Sequence, residues 1–274
     1  MMNQWLAEIG RRTLIMGILN VTPDSFSDGG QYNSVDRAVA HAKRLVAEGA
    51  DLLDIGGEST RPGATPVSED EEIERVIPVI RALQAECKGI PLSIDTYKGE
   101  VARQALAAGA AMVNDIWGGK ADPTLLQIVA ERRVPIILMH NRPNMEYGAD
   151  PVADVISDLR ASIKLASDAG IHRKHILIDP GIGFAKNREL NLLLMNRLAD
   201  LAELGYPVVL GTSRKRFIRE VLAADVDQVL GGTIATTVLG IERGASIMRV
   251  HDVAENAKAA KMTDAILQTK TTGF

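Results

Sequence analysis

The sequence predicts one closed barrel of eight parallel strands alternating with helices, an α/β fold of the (β/α)8 TIM-barrel type. Three observations carry this prediction. Short apolar runs recur along the whole chain, each followed by a helical pattern, and such alternation implies parallel strands joined by crossovers. The length of 274 residues suits one barrel of this type, typically about 250 residues long. The composition is 46% hydrophobic but only 4% aromatic, so Ala, Ile, Leu and Val must fill the core, which favours helices on an aliphatic sheet over an all-β sandwich. A doubly wound open sheet is the alternative that the same alternation allows. No low-complexity linker divides the chain, so a single domain over 1–274 is expected.

The expected strands are "TLIMGILN", "ADLLDIGG", "PLSID", "AMVND", "PIILMH", "ILIDP", "PVVLG" and "SIMRV". Between them lie amphipathic segments such as "SVDRAVAHAKRLVAEGA", "EDEEIERVIPVIRALQAE", "KGEVARQALAAGA" and "VADVISDLRASIKLASDAG". Many of these end at glycine, which suits a helix stop. The first, second and seventh connections read as extended. Residues 21–33 and 57–68 are rich in Gly, Ser, Thr and Pro and are expected to act as mobile lids that order when substrates bind. The stretch 212–245 exceeds a minimal crossover, which predicts extra structure beginning at "TSRKRFIREVL".

A net charge of -4 argues against a broad nucleic-acid surface. The single cysteine, Cys87, cannot form an internal disulfide, which suits a reducing compartment. The opening "MMNQWLAEIGRR" lacks the apolar run of a signal peptide, and no stretch approaches the roughly 18 apolar residues of a membrane span. A cytoplasmic protein with no membrane partner is expected.

The carboxyl ends of the predicted strands are unusually polar. They finish at Asn20, Asp54 with Glu58, Asp95, Asn114 with Asp115, His140, Asp179, Ser213 to Arg216, and Arg249 to His251. A turn-former or helix N-cap accounts for any one of these. A strand buried on both faces should be apolar throughout, however, and eight polar ends on one barrel face define a site, because barrel enzymes build their active sites there. Asp95, Asn114 and Asp179 suit a flat heterocycle with an amidine-like edge, since a carboxylate accepts two parallel N–H bonds. Arg61, Lys215, Arg249 and His251, with the helix opening near Asp252, form an anion cradle, and phosphate sites in such barrels recur near strands seven and eight. Taken singly, "SRKR" reads as a solvated basic turn and "RVHDV" as a helix start. No zinc spacing, phosphate-binding loop or nucleophile elbow is present. These residues leave three readings open: transfer of a group away from a phosphate or diphosphate, a Schiff-base aldolase using Lys215, or a heterocycle-binding protein without catalysis.

The motifs "GILNVTPDSFSDGG", "DIGGESTRPGA", "SIDTYK", "VNDIWGG", "DPGIGFAK", "GTSRKRF" and "RVHDV" resemble, in order and interval, those of the dihydropteroate synthase family. The resemblance runs from about residue 13 to 268. It implies a (β/α)8 barrel that joins p-aminobenzoate to 6-hydroxymethyl-7,8-dihydropterin diphosphate and releases diphosphate in folate synthesis. By position, it puts the pterin on Asp95, Asn114, Asp179 and Lys215, in a slot lined by Ile116, Met139 and Phe184, with Gly211 permitting close approach. It puts the diphosphate on Asn20, Arg249 and His251, with Asn20 also touching Mg2+, the implied cofactor. Thr60, Arg61 and Pro62 would close over diphosphate and p-aminobenzoate, helped by Phe184 and Lys215. Arg216, where many members carry a serine, would meet the p-aminobenzoate carboxylate. Asp95, Lys215, Arg249 and His251 are the residues expected to carry catalysis. A pterin-binding methyltransferase serving a corrinoid protein would share the carboxylates but has no diphosphate to hold, so "STRPG", "SRKR" and "RVHD" weigh against it. The family commonly forms homodimers through late barrel helices. "GGTIATTVLGIERGA" is apolar enough for such a surface, and equally for a helix packed on strands.

Overall fold

The computed structural model describes residues 4–22, 31–59 and 65–269. Eight parallel strands close into a barrel in sequence order. They are β1 (Leu14–Asn20), β2 (Leu52–Gly56), β3 (Leu92–Asp95), β4 (Met112–Asp115), β5 (Ile136–Met139), β6 (Ile176–Asp179), β7 (Val208–Leu210) and β8 (Ala245–Val250). Helices α1 (Gln31–Ala47), α2 (Glu69–Glu86), α3 (Gly99–Ala108), α4 (Pro123–Arg132) and α5 (Pro151–Asp168) follow the first five strands in turn. After β6 come α6 (Arg188–Asn196) and α7 (Leu198–Ala202), and α10 (Val253–Leu267) closes the fold. The open-sheet alternative is excluded by the β1–β8 pairing, in which Leu14 faces Ile247 and Gly17 faces Val250.

The local signals explain these elements. Ser68 caps α2 by accepting from the Glu71 N–H, and Asp122 and Asp150 cap α4 and α5, each followed by proline in the first turn. Gly109 ends α3 in the left-handed conformation at φ 118°. Helix α1 begins at Gln31, ahead of the expected Ser34, whereas α2 falls on the expected segment. The long seventh connection holds α8 (Arg216–Leu222) and α9 (Leu230–Glu242), the extra structure expected there. The expected lids lie partly outside the described residues, at 23–30 and 60–64. Among the described residues, no helix is long and apolar enough to cross a membrane.

The barrel interior is where fold becomes site. An aliphatic cluster fills its lower half: Leu14, Met16, Leu52, Met112, Ile137, Leu177, Val209 and Ile247, stoppered from below by Trp5. A second, larger cluster lies between the sheet and the helices. Side chains on a strand alternate faces with a period of two. Two residues beyond Leu52, Met112, Ile137, Leu177, Val209 and Ile247, the inward positions are therefore Asp54, Asn114, Met139, Asp179, Gly211 and Arg249. On β1 the inward row runs Leu14, Met16, Ile18, Asn20. An apolar floor thus carries a polar layer, and the change occurs within single strands.

Candidate active site

Arg249 organises this polar layer. Its Nε donates to Asp54 Oδ2 and its Nη2 to Asp95 Oδ2, each at 2.6 Å. Asn114 Nδ2 donates to the same Asp54 oxygen at 2.9 Å. The Asp54 side chain is fully enclosed, whereas those of Asp95 and Arg249 keep 11% and 19% exposure, so the layer opens upward at these two. Burial lowers the guanidinium pKa, but Asp54 and Asp95 more than offset it and leave it raised. Burial pushes Asp95 up, with Arg249 pulling it back. Asp54 Oδ1, Asp95 Oδ1 and Ser93 Oγ are buried without a hydrogen-bond partner. Orphaned polar atoms on one barrel floor mark a place for a polar ligand.

Across the mouth, Asp179 at the end of β6 accepts from the Gly181 N–H at 2.7 Å. Burial raises its pKa, opposed first by Lys215. Lys215 Nζ donates to the Ile182 carbonyl and sits 4.8 Å from the centre of the Phe184 ring, within cation–π range. Burial lowers Lys215 to about 8, with Asp179 opposing. Met139 and Ile116 are buried. Gly211 leaves room: a Cβ built there would find nothing nearer than Arg249 at 3.8 Å, with Lys215 Nζ at 3.9 Å. Arg249 and Lys215 thus converge on one spot, and Asp179 interacts with both.

Asn20 ends β1 beside Gly56 and opposite Asp95. A Cβ on Gly56 would lie 3.5 Å from Asn20 Oδ1 and 3.7 Å from Asp95 Oδ2. Mg2+ prefers hard oxygens and is often held by few protein ligands together with substrate phosphates and water. Among the described residues, no three His, Cys, Asp or Glu side chains gather as a metal cage. The half-buried Asn20 oxygen therefore fits an ion shared with a diphosphate rather than an all-protein site. His251, just beyond β8, is tied to Ser213: its backbone N–H donates to Ser213 Oγ at 3.2 Å, and its Nδ1 lies 3.0 Å from the same oxygen. Arg214 Nε donates to Asp252 Oδ2 at 3.0 Å, joining the seventh loop to the start of α10.

The structure does not bring every expected residue to the mouth. Arg216 opens α8 with its side chain 80% exposed and paired to Glu220 at 2.6 Å. It borders a separate cavity of about 340 Å³ with Arg219 and Gln228. Thr60, Arg61 and Pro62 lie outside the described residues. Two residues read among the polar strand ends but given no role there take part in the site. Asp54 was legible as an acid inside an apolar strand, one inward step above Leu52. Ser213 was legible as the polar end of β7, but its partner was not, because that is a histidine beyond another strand. Asn114 and Asp115 divide their labour: Asn114 faces inward, while Asp115 accepts from Trp117 N at 2.8 Å and Gly119 N at 2.5 Å to tie the following turn.

The fold and this floor define a (β/α)8 barrel whose mouth gathers buried carboxylates beside two cations, Arg249 and Lys215. Comparison with known proteins narrows the class. The sequence pattern of the family described as pterin binding enzyme matches residues 16–251. A dihydropteroate synthase of Bacillus subtilis is 56% identical over 256 residues, covering 93% of this chain and 89% of the relative. A Clostridium difficile dihydropteroate synthase, crystallised in the presence of pteroic acid, superposes with a TM-score of 0.93 at 50% identity, covering 96% of this chain and 99% of that one. The Xanthomonas albilineans enzyme with 4-aminobenzoic acid gives 0.90 at 49% identity, covering 94% of each chain. The chain belongs to the dihydropteroate synthases, a family of pterin-binding transferases.

Proposed function

We propose that this chain joins p-aminobenzoate to 6-hydroxymethyl-7,8-dihydropterin diphosphate by a dissociative substitution at the barrel mouth. The observation that carries the reading is the convergence of Arg249 and Lys215 above the Asp54–Asp95–Asn114 floor, opposite Asp179. A flat ring with several N–H donors finds acceptors in Asp95 and Asp179, which orient it and favour a developing positive charge. Met139, Ile116 and Phe184 confine its faces, and Gly211 lets it approach the strand.

The methylene carbon under attack is attached to an electron-rich ring that delocalises positive charge. Its C–O bond breaks with the electron pair leaving on the diphosphate oxygen. The p-aminobenzoate nitrogen then forms the C–N bond and releases one proton, giving 7,8-dihydropteroate and diphosphate. The aromatic amine is neutral near pH 7 and needs no general base. Arg249, His251 and Arg61 supply positive charge or N–H donors where negative charge develops. Ser213, by donating its hydroxyl proton to His251 Nδ1, leaves the other ring nitrogen to donate toward the leaving group. Asn20 would hold Mg2+, which when bound neutralises charge on the diphosphate oxygens. Thr60, Arg61 and Pro62 would cover the diphosphate and p-aminobenzoate. Arg216, with its side chain turned to Glu220, would reach the p-aminobenzoate carboxylate through its backbone N–H.

Diphosphate release should require both p-aminobenzoate and the pterin substrate. Release with the pterin substrate and water alone would contradict this transfer. Chelation should abolish turnover and Mg2+ restore it, with Asn20→Ala needing more Mg2+ for half-maximal rate. We also propose that two copies pair through the seventh-loop helices, where Val221, Leu222, Val226, Val238 and Leu239 are exposed. Light scattering should give a dimer and Leu239→Glu a monomer. A cytoplasmic setting is consistent with the single free thiol, Cys87.

A further inference from the structure

We infer that Lys186 is a positioning residue of the pterin slot: its ammonium, enclosed by His140 Nδ1 and the carbonyls of Gly181 and Phe184, shapes the turn that presents Asp179, Phe184 and the anchor of Lys215. The inference rests on the reading above that the pterin lies against Asp179 and Lys215.

Lys186 is buried at 8% exposure, and its charge is felt by both Asp179 and Lys215 of the slot. Its Nζ donates to Gly181 O at 2.9 Å and Phe184 O at 2.9 Å, and lies 2.8 Å from His140 Nδ1. Burial lowers the Lys186 pKa to about 7, with Asp179 opposing; its protonated form has three N–H donors and no acceptor, and the three acceptors around it use all of them. His140 must then be neutral and accept at Nδ1, leaving its Nε2–H to donate to Asp158 Oδ2 at 3.1 Å. Burial and the adjacent ammonium hold His140 well below its ordinary pKa, in keeping with that assignment.

The segment wrapped around this ammonium is costly to form. Gly181, Gly183 and Ala185 have φ of 67°, 84° and 47°, a left-handed conformation that an alanine rarely adopts. A Cβ on Gly181 would sit 1.9 Å from His140 O, so the turn is pressed against the end of β5. Such a backbone persists only where its surroundings over-determine it. Lys186 supplies the inner restraint. An outer one closes a ring around it. Asp158 also accepts from Arg142 Nε at 2.6 Å, Arg142 lies 4.5 Å above the Tyr147 ring, and the Tyr147 hydroxyl donates to Ala185 O at 3.0 Å.

What this turn delivers is the slot itself. The Gly181 N–H orients Asp179, the Ile182 carbonyl receives Lys215, and the Phe184 ring faces the same ammonium. Lys186 binds the carbonyls of Gly181 and Phe184, on either side of Ile182. Loss of its ammonium would let all three outputs drift.

Steady-state kinetics on the full chain tests this, with Lys186→Met, Lys186→Ala and Lys215→Met compared at matched melting temperature readings. Lys186→Met should raise KM for the pterin substrate about tenfold to a hundredfold, the scale of a small misplacement near the reacting groups, and KM for p-aminobenzoate to a smaller extent, through Phe184 and Lys215. Methylammonium should restore Lys186→Ala, whose vacated space can take it, and leave Lys186→Met unchanged. A pterin KM near wild type in Lys186→Met overturns the inference. Equal rises in both KM values with no amine rescue do the same, since they mark a purely structural lysine. If neither Lys186 variant folds, Tyr147→Phe decides: it cuts the outer ring and should raise the pterin KM several-fold, and an unchanged value overturns the inference. Lys215→Met separates the two levels. Unchanged pterin binding there overturns the site reading itself, whereas a loss there without one in Lys186→Met overturns only the role of Lys186.

Discussion

Arg249 stands between two carboxylates, one of them fully enclosed, and so serves the resting protein as well as the reaction. Arg249→Ala should lower kcat by about a hundredfold or more, the scale of losing a preorganised transition-state donor. It should also lower the melting temperature, because breaking a buried ion pair from one side costs about 3–5 kcal/mol. The two effects can be separated. Adding Asp54→Asn to Arg249→Ala should recover stability but not turnover, and joint recovery would remove Arg249 from the chemistry. Lys215 gives a second prediction. Burial sets its free-enzyme pKa at about 8, so the ammonium is present below that value and lost above it. kcat/KM for the pterin substrate, which reports the free enzyme, should fall as pH rises through about 8. Lys215→Arg should move that alkaline limb upward, since guanidinium keeps its charge. A limb that stays in place belongs to another group.

At the scale of strands and turns, two glycines at the barrel mouth should behave oppositely. At Gly211 a Cβ meets nothing closer than 3.8 Å, while at Gly181 it collides with a backbone oxygen at 1.9 Å where φ is 67°. Gly211→Ala should keep its melting temperature and lose pterin affinity, as the space it fills is the ligand's. Gly181→Ala should melt lower whether or not ligand is present. Calorimetric titration with a pterin, alongside thermal melts, checks both. The strands and most helices were legible because their signals are local: short apolar runs buried on both faces, amphipathic segments between them, and glycines at helix stops. The start of α1 was not, since Ser27, Asp28, Asn33 and Ser34 are all cap-type residues and none stands out from the others. The ammonium-centred turn after β6 was hidden too. "DPGIGFAK" displays its glycines, but its partner His140 stands 46 residues away in sequence.

For the molecule as a whole, closure turns chain order into a ring, and the ring makes the site. Arg249 meets Asp54 and Asp95 across 195 and 154 residues of sequence, because β8 returns beside β1. The set of polar strand ends could be read beforehand as one face. Which cation faced which acid could not, since that depends on the register and tilt of a closed sheet. Asp54 shows the difference: its position was visible, yet its partners existed only after closure. Arg216 shows the converse, for its place in "SRKR" suggested the mouth, while the first turn of α8 directs it to Glu220.

The stopper beneath the barrel has a practical corollary. The chain contains two tryptophans: Trp5 is enclosed at the underside, and Trp117 borders a cavity of about 710 Å³ beyond β4. Their emission spectra should differ, with Trp5 blue-shifted by its dry surroundings and Trp117 nearer the colour of an indole in water. Trp117→Phe would leave a chain whose glow follows only the foot of the barrel, and Trp5→Phe one that follows only its rim. Comparing how each dims or reddens in rising urea would reveal whether the two ends come apart together.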